Sequence, residues 1–293
     1  MISTQKQIPA HHPAGLLGPL KDQFSQLFYH LYTVYLFTRD NLKEIVGLGL
    51  LFGVLNASVA PKFSMGPALP LKSILLSSHK MLLWSWSNLF LFNLHNQRHP
   101  SSITEDALNK PWRPLPAGRI TPKQTTRIMY MMYPVVIMVS LVVGGQIPCF
   151  MGVLFYIWYN ELGGAANPFY KNLLNGLGLA SSFSGPLEVA TGHSLAILAA
   201  GVTTMIHLQD FRNMDGDKAA GRDTVPLVVG DKNARVIVLL RNAGWLEGSM
   251  AWVAGVIMVG NLFYDQTREG DSFSWKLFPV WFVGLFLLPL LVE

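Results

Sequence analysis

The chain is 293 residues long, 51% hydrophobic, 12% aromatic and only 13% charged, with a net charge of +5. With a mean hydropathy of +0.33, this is the composition of a polytopic membrane protein rather than of a soluble domain. The single cysteine, Cys149, excludes an internal disulfide and a multi-cysteine metal site, and in its apolar run it reads as packing.

Residues 1–42 read as a cytoplasmic and interfacial N-terminal segment. Lys6, His11, His12, Lys21, Asp22 and Arg39 are spread through it, with no long apolar run before a small-residue cleavage site. No signal peptide is therefore predicted and the N-terminus is expected to be retained. Within it, LFYHLYTVYLF (27–37) is aromatic and short, which predicts an interfacial helix rather than a crossing.

Residues 43–293 read as one transmembrane domain. A crossing helix needs about 20 mainly apolar residues, and about eight stretches meet that requirement: 43–60, 73–95, 123–144, 147–162, 170–188, 193–209, 233–258 and 274–292. Interior Gly176, Gly178, Ser184 and Pro186 are compatible with packed membrane helices. The runs lack the period-2 alternation of a barrel, and an open sheet cannot satisfy its edges in lipid. The predicted fold class is an all-α polytopic membrane helical bundle. With the even-numbered loops on one side, most Lys and Arg gather there, from Lys6 to Arg235, while Lys62, Lys72 and Arg268 fall opposite; the basic side is predicted to be cytoplasmic. The basic residues form no uninterrupted face for a nucleic acid, and the partner they suit is the lipid bilayer. No obligate protein partner is indicated.

Two polar loops emerge on that same side. The first is NLHNQRHPSSITEDALNKPWRPLPAGRI (93–120) and the second is HLQDFRNMDGDKAAGRDTVP (207–226). On a helix, Asp210, Asn213 and Asp217 share one face. Asp215 points elsewhere unless the chain turns at Gly216. Hard oxygen ligands of this kind suit Mg2+, which takes one or two carboxylates plus substrate phosphate oxygens. The first loop adds Glu105 and Asp106, the amides Asn93 and Asn96, and the cations Lys110 and Arg113. Pro111, Pro114 and Pro116 stiffen it. A basic loop facing an acidic one fits an anionic leaving group bridged by metal.

EDALNKPWRPLPAGR and QDFRNMDGDKAAGRDTVPL, with spans between them, resemble the two signature loops of the UbiA superfamily of intramembrane prenyltransferases. The resemblance implies a bundle, usually of nine spans, around an apolar cavity for a prenyl diphosphate whose head is held through Mg2+. By that match Asp106, Asp210 and Asp217 are catalytic, and Glu105, Asp106, Asp210, Asn213, Asp215 and Asp217 are the candidate metal ligands. Lys110, Arg113, Lys171 and Arg222 are the candidate diphosphate binders. The first loop departs from the family pattern, keeping only Asp106 beside Glu105, with Asn96, His99 and Ser102 nearby. That reduced motif is more similar to fungal members, among them membrane-bound sesquiterpene cyclases of fumagillin-type pathways. It implies a class I type cyclase that ionises farnesyl diphosphate in terpenoid secondary metabolism, at the endoplasmic reticulum with its site facing the cytoplasm. The alternative is an aromatic prenyltransferase, which shares the ionisation step. A transporter would show inverted repeats with matched broken spans; Pro186 in the fifth span has no convincing matched partner, and the acids concentrate in loops rather than mid-span.

The substrate cavity is expected to include Asn93, Asn96, Trp86, Phe90, Tyr159, Asn172 and Asn175. Trp84, Phe92, Tyr156, Trp158 and Phe183 are further aromatics on spans that could wall it. A prenyl cation has no hydrogen-bonding group, so desolvated ring faces, worth about 2 kcal/mol or more, are its natural stabilisers. Glu188 lies near the opposite end and reads as interfacial. The run DGDKAAGRD is similar at its start to CDP-alcohol phosphotransferases, but Ala220 replaces the expected Arg and no DxxxD follows.

Overall fold

A computed structural model of the chain describes residues 17–63, 65–193, 208–242 and 250–291. Among the described residues every regular element is a helix: α1 (Leu17–Thr38), α2 (Leu48–Ala57), α3 (Leu71–Gln97), α4 (Pro100–Asn109), α5 (Pro122–Val143), α6 (Gln146–Asn160), α7 (Pro168–Thr191), α8 (Leu208–Ala219), α9 (Val225–Val229), α10 (Asp231–Asn242), α11 (Met250–Tyr264) and α12 (Arg268–Leu291). The sixth candidate span, 193–209, lies almost wholly outside the described residues, as do Lys6, His11 and His12.

Local chemistry sets the helix ends. α5 starts at a capping box between Thr121 and Gln124 with Pro122 at its first position, which satisfies two orphan donors. α7 starts where the Asn167 side chain accepts from the Phe169 and Tyr170 N–H groups. Between α5 and α6 the chain reverses through Gly144 and Gly145, at φ 101° and 84°, a region that favours glycine. A Cβ on Gly145 would also sit 2.8 Å from Trp84 Cε2, and the Trp84 indole donates to the Gly145 carbonyl at 3.1 Å.

The helices bury two apolar clusters. One gathers Phe52, Phe183, Leu187, Phe282 and Phe286 from α2, α7 and α12; the other gathers Met81, Trp84, Leu91, Val136 and Cys149 from α3, α5 and α6. Trp84 thus packs in a core. α5 turns Tyr130, Met131, Ile137, Met138, Leu141 and Val142 outward, an apolar surface suited to lipid. Among the described residues α5 is the helix long and apolar enough by itself to cross a membrane.

The described helices redraw the boundaries of three stretches read from the sequence. The stretch 43–60 is a π-helical turn, Leu42–Gly47, followed by the ten-residue α2. The aromatic run 27–37 belongs to the 22-residue α1, whose Phe24, Phe28 and Leu31 are exposed. The Arg119 guanidinium lies over its Tyr29 and Tyr32 rings at 4.1 and 5.1 Å. The stretch 233–258 is not one span. Arg235 donates to the Leu262 carbonyl at 2.7 Å, whereas 27 residues of straight helix would separate them by about 40 Å. α10 and α11 therefore run antiparallel, and Arg268 moves to the side of the polar loops, contrary to the charge-based topology. Glu188 is buried near the end of α7 opposite Lys171.

Candidate active site

The two polar loops meet at the mouth of one cavity of about 750 Å³, inside the range of ligand pockets. The first loop runs from α3 through α4 and then as a turn-rich segment to Thr121; the second is α8 and the turn after it. Gly216 lets them touch: a Cβ there would lie 2.9 Å from Glu105 Cγ and closer still to Asn109 Nδ2. Asn109 also accepts from Arg268 at 3.0 Å.

Charges at the mouth are paired across elements. Lys171, at the start of α7 and 5% exposed, places Nζ 3.0 Å from Asp210 Oδ1 and 3.8 Å from Asp217 Oδ1. Past α8 the Arg222 N–H bonds back to the Asp217 carbonyl at 2.9 Å. That turn returns the guanidinium to the site, where it pairs with Glu105, donates to Ser102 at 2.7 Å and lies 3.9 Å from Asp217 Oδ1. Arg113 donates to both Asp106 oxygens at 2.9 Å, to Asp40 at 3.0 Å and to Asn41 at 3.4 Å. Its donors are thus directed at protein oxygens, and it fixes Asp106. Asp40 was not singled out in the sequence, because its partner lies 73 residues away; it also accepts from the Trp112 indole at 3.0 Å.

Burial sets the electrostatics. It pushes the Asp217 carboxyl up to about 7 against the opposing pull of Lys171, since a low-dielectric site disfavours the charged form. It also raises Asp106 above the usual carboxylate range, with Arg113 the main opposing influence. Burial, and next the neighbouring Arg113, lower the Lys110 ammonium to about 8.

The donor set fits a hard divalent cation. Asp210 Oδ2 and Asp217 Oδ2 are buried without a hydrogen-bond partner, and Asn213 lines the same cavity. Among the described residues no three His, Cys, Asp or Glu side chains converge on one point. That suits an ion which takes one or two carboxylates and completes its shell from water and substrate phosphate.

The cavity brings together Glu105, Asp106, Lys110, Arg113, Lys171, Asp210, Asn213, Asp217 and Arg222 with Asn96, Tyr159 and Asn175. It leaves out Asp215, Asn172, Asn93, Trp86, Phe90, Trp158 and the core residue Trp84. Asp215 is exposed, because α8 continues through Gly216 to Ala219 and keeps Asp215 on its outer face. On α7 the lining positions are 171, 174, 175, 178, 179, 182 and 183; Asn172, half-buried one turn before Asn175, does not line the cavity. On α3 the lining positions are Leu89, Phe92 and Asn96; Asn93, one turn from Leu89 and Asn96, is fully buried and does not line the cavity, and neither side-chain heteroatom has a partner. Trp86 stacks on Phe90 at 5.5 Å, and Phe90 meets Phe37 of α1 edge-on at 5.9 Å; this packing draws both away from the cavity. Trp158 is half-exposed beside Tyr170. Deeper, the lining is Phe155, Tyr156, Leu174, Leu179, Phe183, Phe278 and Phe282.

Beside the cavity, Glu161 joins Arg98 and the buried His95, whose Nδ1 lies 2.9 Å away. The carboxylate can only accept, so Nδ1 carries the proton and Nε2 accepts from the Tyr133 hydroxyl at 2.7 Å. This chain ties α5 and α6 to the end of α3, from which the first loop departs.

Known proteins agree with this architecture. Fumagillin beta-trans-bergamotene synthase of Aspergillus fumigatus is 32% identical over 235 residues, covering 72% of this chain and 80% of that protein. A polyprenyl transferase of Hericium erinaceus is 31% identical over 186 residues, covering 59% of this chain and 62% of its own length. In fold, a solved structure of a digeranylgeranylglyceryl phosphate synthase superposes with a TM-score of 0.56 at 16% identity, over 89% of this chain and 99% of the other. Residues 81–291 match the UbiA prenyltransferase family; the chain belongs to that family of integral membrane proteins and is an enzyme that acts on a prenyl diphosphate.

Proposed function

We propose that the chain is a membrane-bound, Mg2+-dependent terpene cyclase that converts farnesyl diphosphate into a sesquiterpene hydrocarbon and diphosphate. The observation that carries this reading is the continuity of one cavity, from a mouth of paired carboxylates and cations to an aromatic and aliphatic interior. The similarity to the bergamotene synthase supports the cyclase outcome.

In this reading the prenyl tail occupies the apolar depth and the diphosphate lies at the mouth. Asp210 and Asp217 would hold Mg2+ through their unpaired oxygens with Asn213 beside them, while Asp106 and Glu105 stay paired with Arg113 and Arg222 at the rim. When bound, Mg2+ neutralises charge developing on the leaving diphosphate. Lys110, Lys171 and Arg222 bind its outer oxygens, and Arg113 holds Asp106 in position. The C1–O bond breaks with its electron pair leaving on diphosphate. The allylic cation is then attacked by the distal alkene of the same chain, forming a C–C bond, and loses a proton to water or to the released diphosphate. The mouth faces the cytoplasm, and the membrane is the endoplasmic reticulum.

A second reading, an aromatic prenyltransferase, is favoured by the similarity to the polyprenyl transferase; there an acceptor ring attacks the same cation. The test is gas chromatography with mass spectrometry on vesicles given farnesyl diphosphate and Mg2+ without an acceptor. A metal-dependent sesquiterpene hydrocarbon is expected; product formation only after a phenolic acceptor is added would establish the transferase. Asp210→Ala is expected to abolish diphosphate release with membrane insertion intact, and full activity in that variant would overturn the metal assignment.

A further inference from the structure

Helix α12 carried no candidate residue in the sequence, yet one of its faces walls the cavity. Arg268 and Ser272 lie at the mouth, Trp275 about one turn below, and Phe278 and Phe282 deeper. The Arg212 guanidinium stands over the Trp275 ring at 5.5 Å, so that ring already faces a cation and marks the floor of the polar mouth. Phe278 stacks on Trp275 at 5.0 Å and 20°. Beyond it the rings turn: Phe282 is edge-on to Phe278 at 4.7 Å and 76°, and Phe183 of α7 is edge-on to Phe282 at 5.3 Å and 81°. Edge-to-face packing is the preferred geometry of such pairs, and here it holds the rings at steep angles to one another. All three phenylalanines are 1–3% exposed, so any cation they meet is desolvated.

We infer that Phe278, Phe282 and Phe183 are the product-determining residues of the enzyme. This inference rests on the proposed ionisation of a prenyl diphosphate. Once the C1–O bond has broken, positive charge migrates along the chain as C–C bonds form. A ring face fixed beside one position lowers the barrier for closure there relative to early proton loss or capture by water. The role is distinct from that of the mouth, where the charges act on the diphosphate. Removing a face should therefore redirect products without stopping ionisation.

The experiment uses the full chain in lipid vesicles with farnesyl diphosphate and Mg2+, following diphosphate release and product distribution in the same samples. Phe278→Leu and Phe282→Leu are expected to retain most diphosphate release, while the ratio of cyclic to acyclic products falls by about 30-fold, the loss of one desolvated cation–π contact. Phe278→Tyr retains a ring and should keep the cyclic products. Phe286→Leu is the packing control. Phe286 contacts Phe183 and Phe282 at 5.6 Å but does not line the cavity, so the product ratio should not change. The inference is overturned if the leucine variants give the wild-type distribution, if Phe286→Leu shifts it as much, or if both leucine variants lose diphosphate release outright, which would make the rings general packing. A wild-type protein that releases no diphosphate refutes the functional reading and the inference together. A wild type that cyclises beside unaltered variants refutes the inference alone.

Discussion

Gly216→Ala tests the juxtaposition on which the site depends. The added methyl would stand 2.9 Å from Glu105 Cγ and closer to Asn109 Nδ2, where carbon contacts are comfortable at about 3.5–4.0 Å. α4 and α8 must part by about 1 Å, or Asn109 must leave its bond from Arg268. Two stability effects oppose each other. Alanine in a helix interior gains about 1 kcal/mol over glycine, and overpacking loses about 1–3 kcal/mol. The net is a loss of about 0–2 kcal/mol, at most a few degrees in Tm for a chain of this size. Activity has no such compensation, because a misplacement of about 1 Å can cost on the order of 100-fold. In vesicles, kcat/KM for diphosphate release from farnesyl diphosphate should fall about 100-fold with little change in Tm. Adding Asn109→Ala should recover part of the loss by removing the nearest obstacle. Wild-type kcat/KM in Gly216→Ala would refute the reasoning, since it would mean that the two loops are not held in register by this contact.

Two further outcomes follow from the buried charges. Lys171→Met leaves Asp210 and Asp217 buried without their shared cation. The protein should lose about 3–5 kcal/mol near neutral pH, measured by denaturation in detergent, and less at pH 5, where Asp217 is protonated. Asp217 titrates near 7 in the folded protein from an ordinary value of 3.8, so between those values the folded state binds the extra proton. Its contribution to stability is complete below about 4 and is lost as pH rises through about 7. In metal-free buffer, Asp217→Asn should match the wild type in Tm near pH 5 and exceed it near pH 8, while losing diphosphate release. A constant Tm difference across that range would contradict the burial of an ionisable carboxylate.

The sequence by itself determined the membrane character, the all-helical class and the family. Each follows from short-range properties: apolar run length, the lack of period-2 alternation, and two loops rich in oxygen ligands and cations. It also determined that Asp210, Asn213 and Asp217 share a face, since helical periodicity needs no partner. Tertiary packing decided the rest. Hydropathy cannot detect a reversal, so α10 and α11 read as one span and the charge pattern puts Arg268 opposite the polar loops that it in fact meets. Periodicity says that a residue has a face but not what the face meets. Phe90 and Trp86 therefore turned out to pack with each other and, through Phe90, with α1, while Phe278 and Phe282 of the unremarked α12 wall the cavity. The pairing of Arg113 with Asp106 and Asp40, and of Lys171 with Asp210, joins residues from 7 to 73 positions apart. Which cation neutralises which buried carboxylate is set by how the helices dock, because the cost of an unpaired buried charge is resolved in three dimensions.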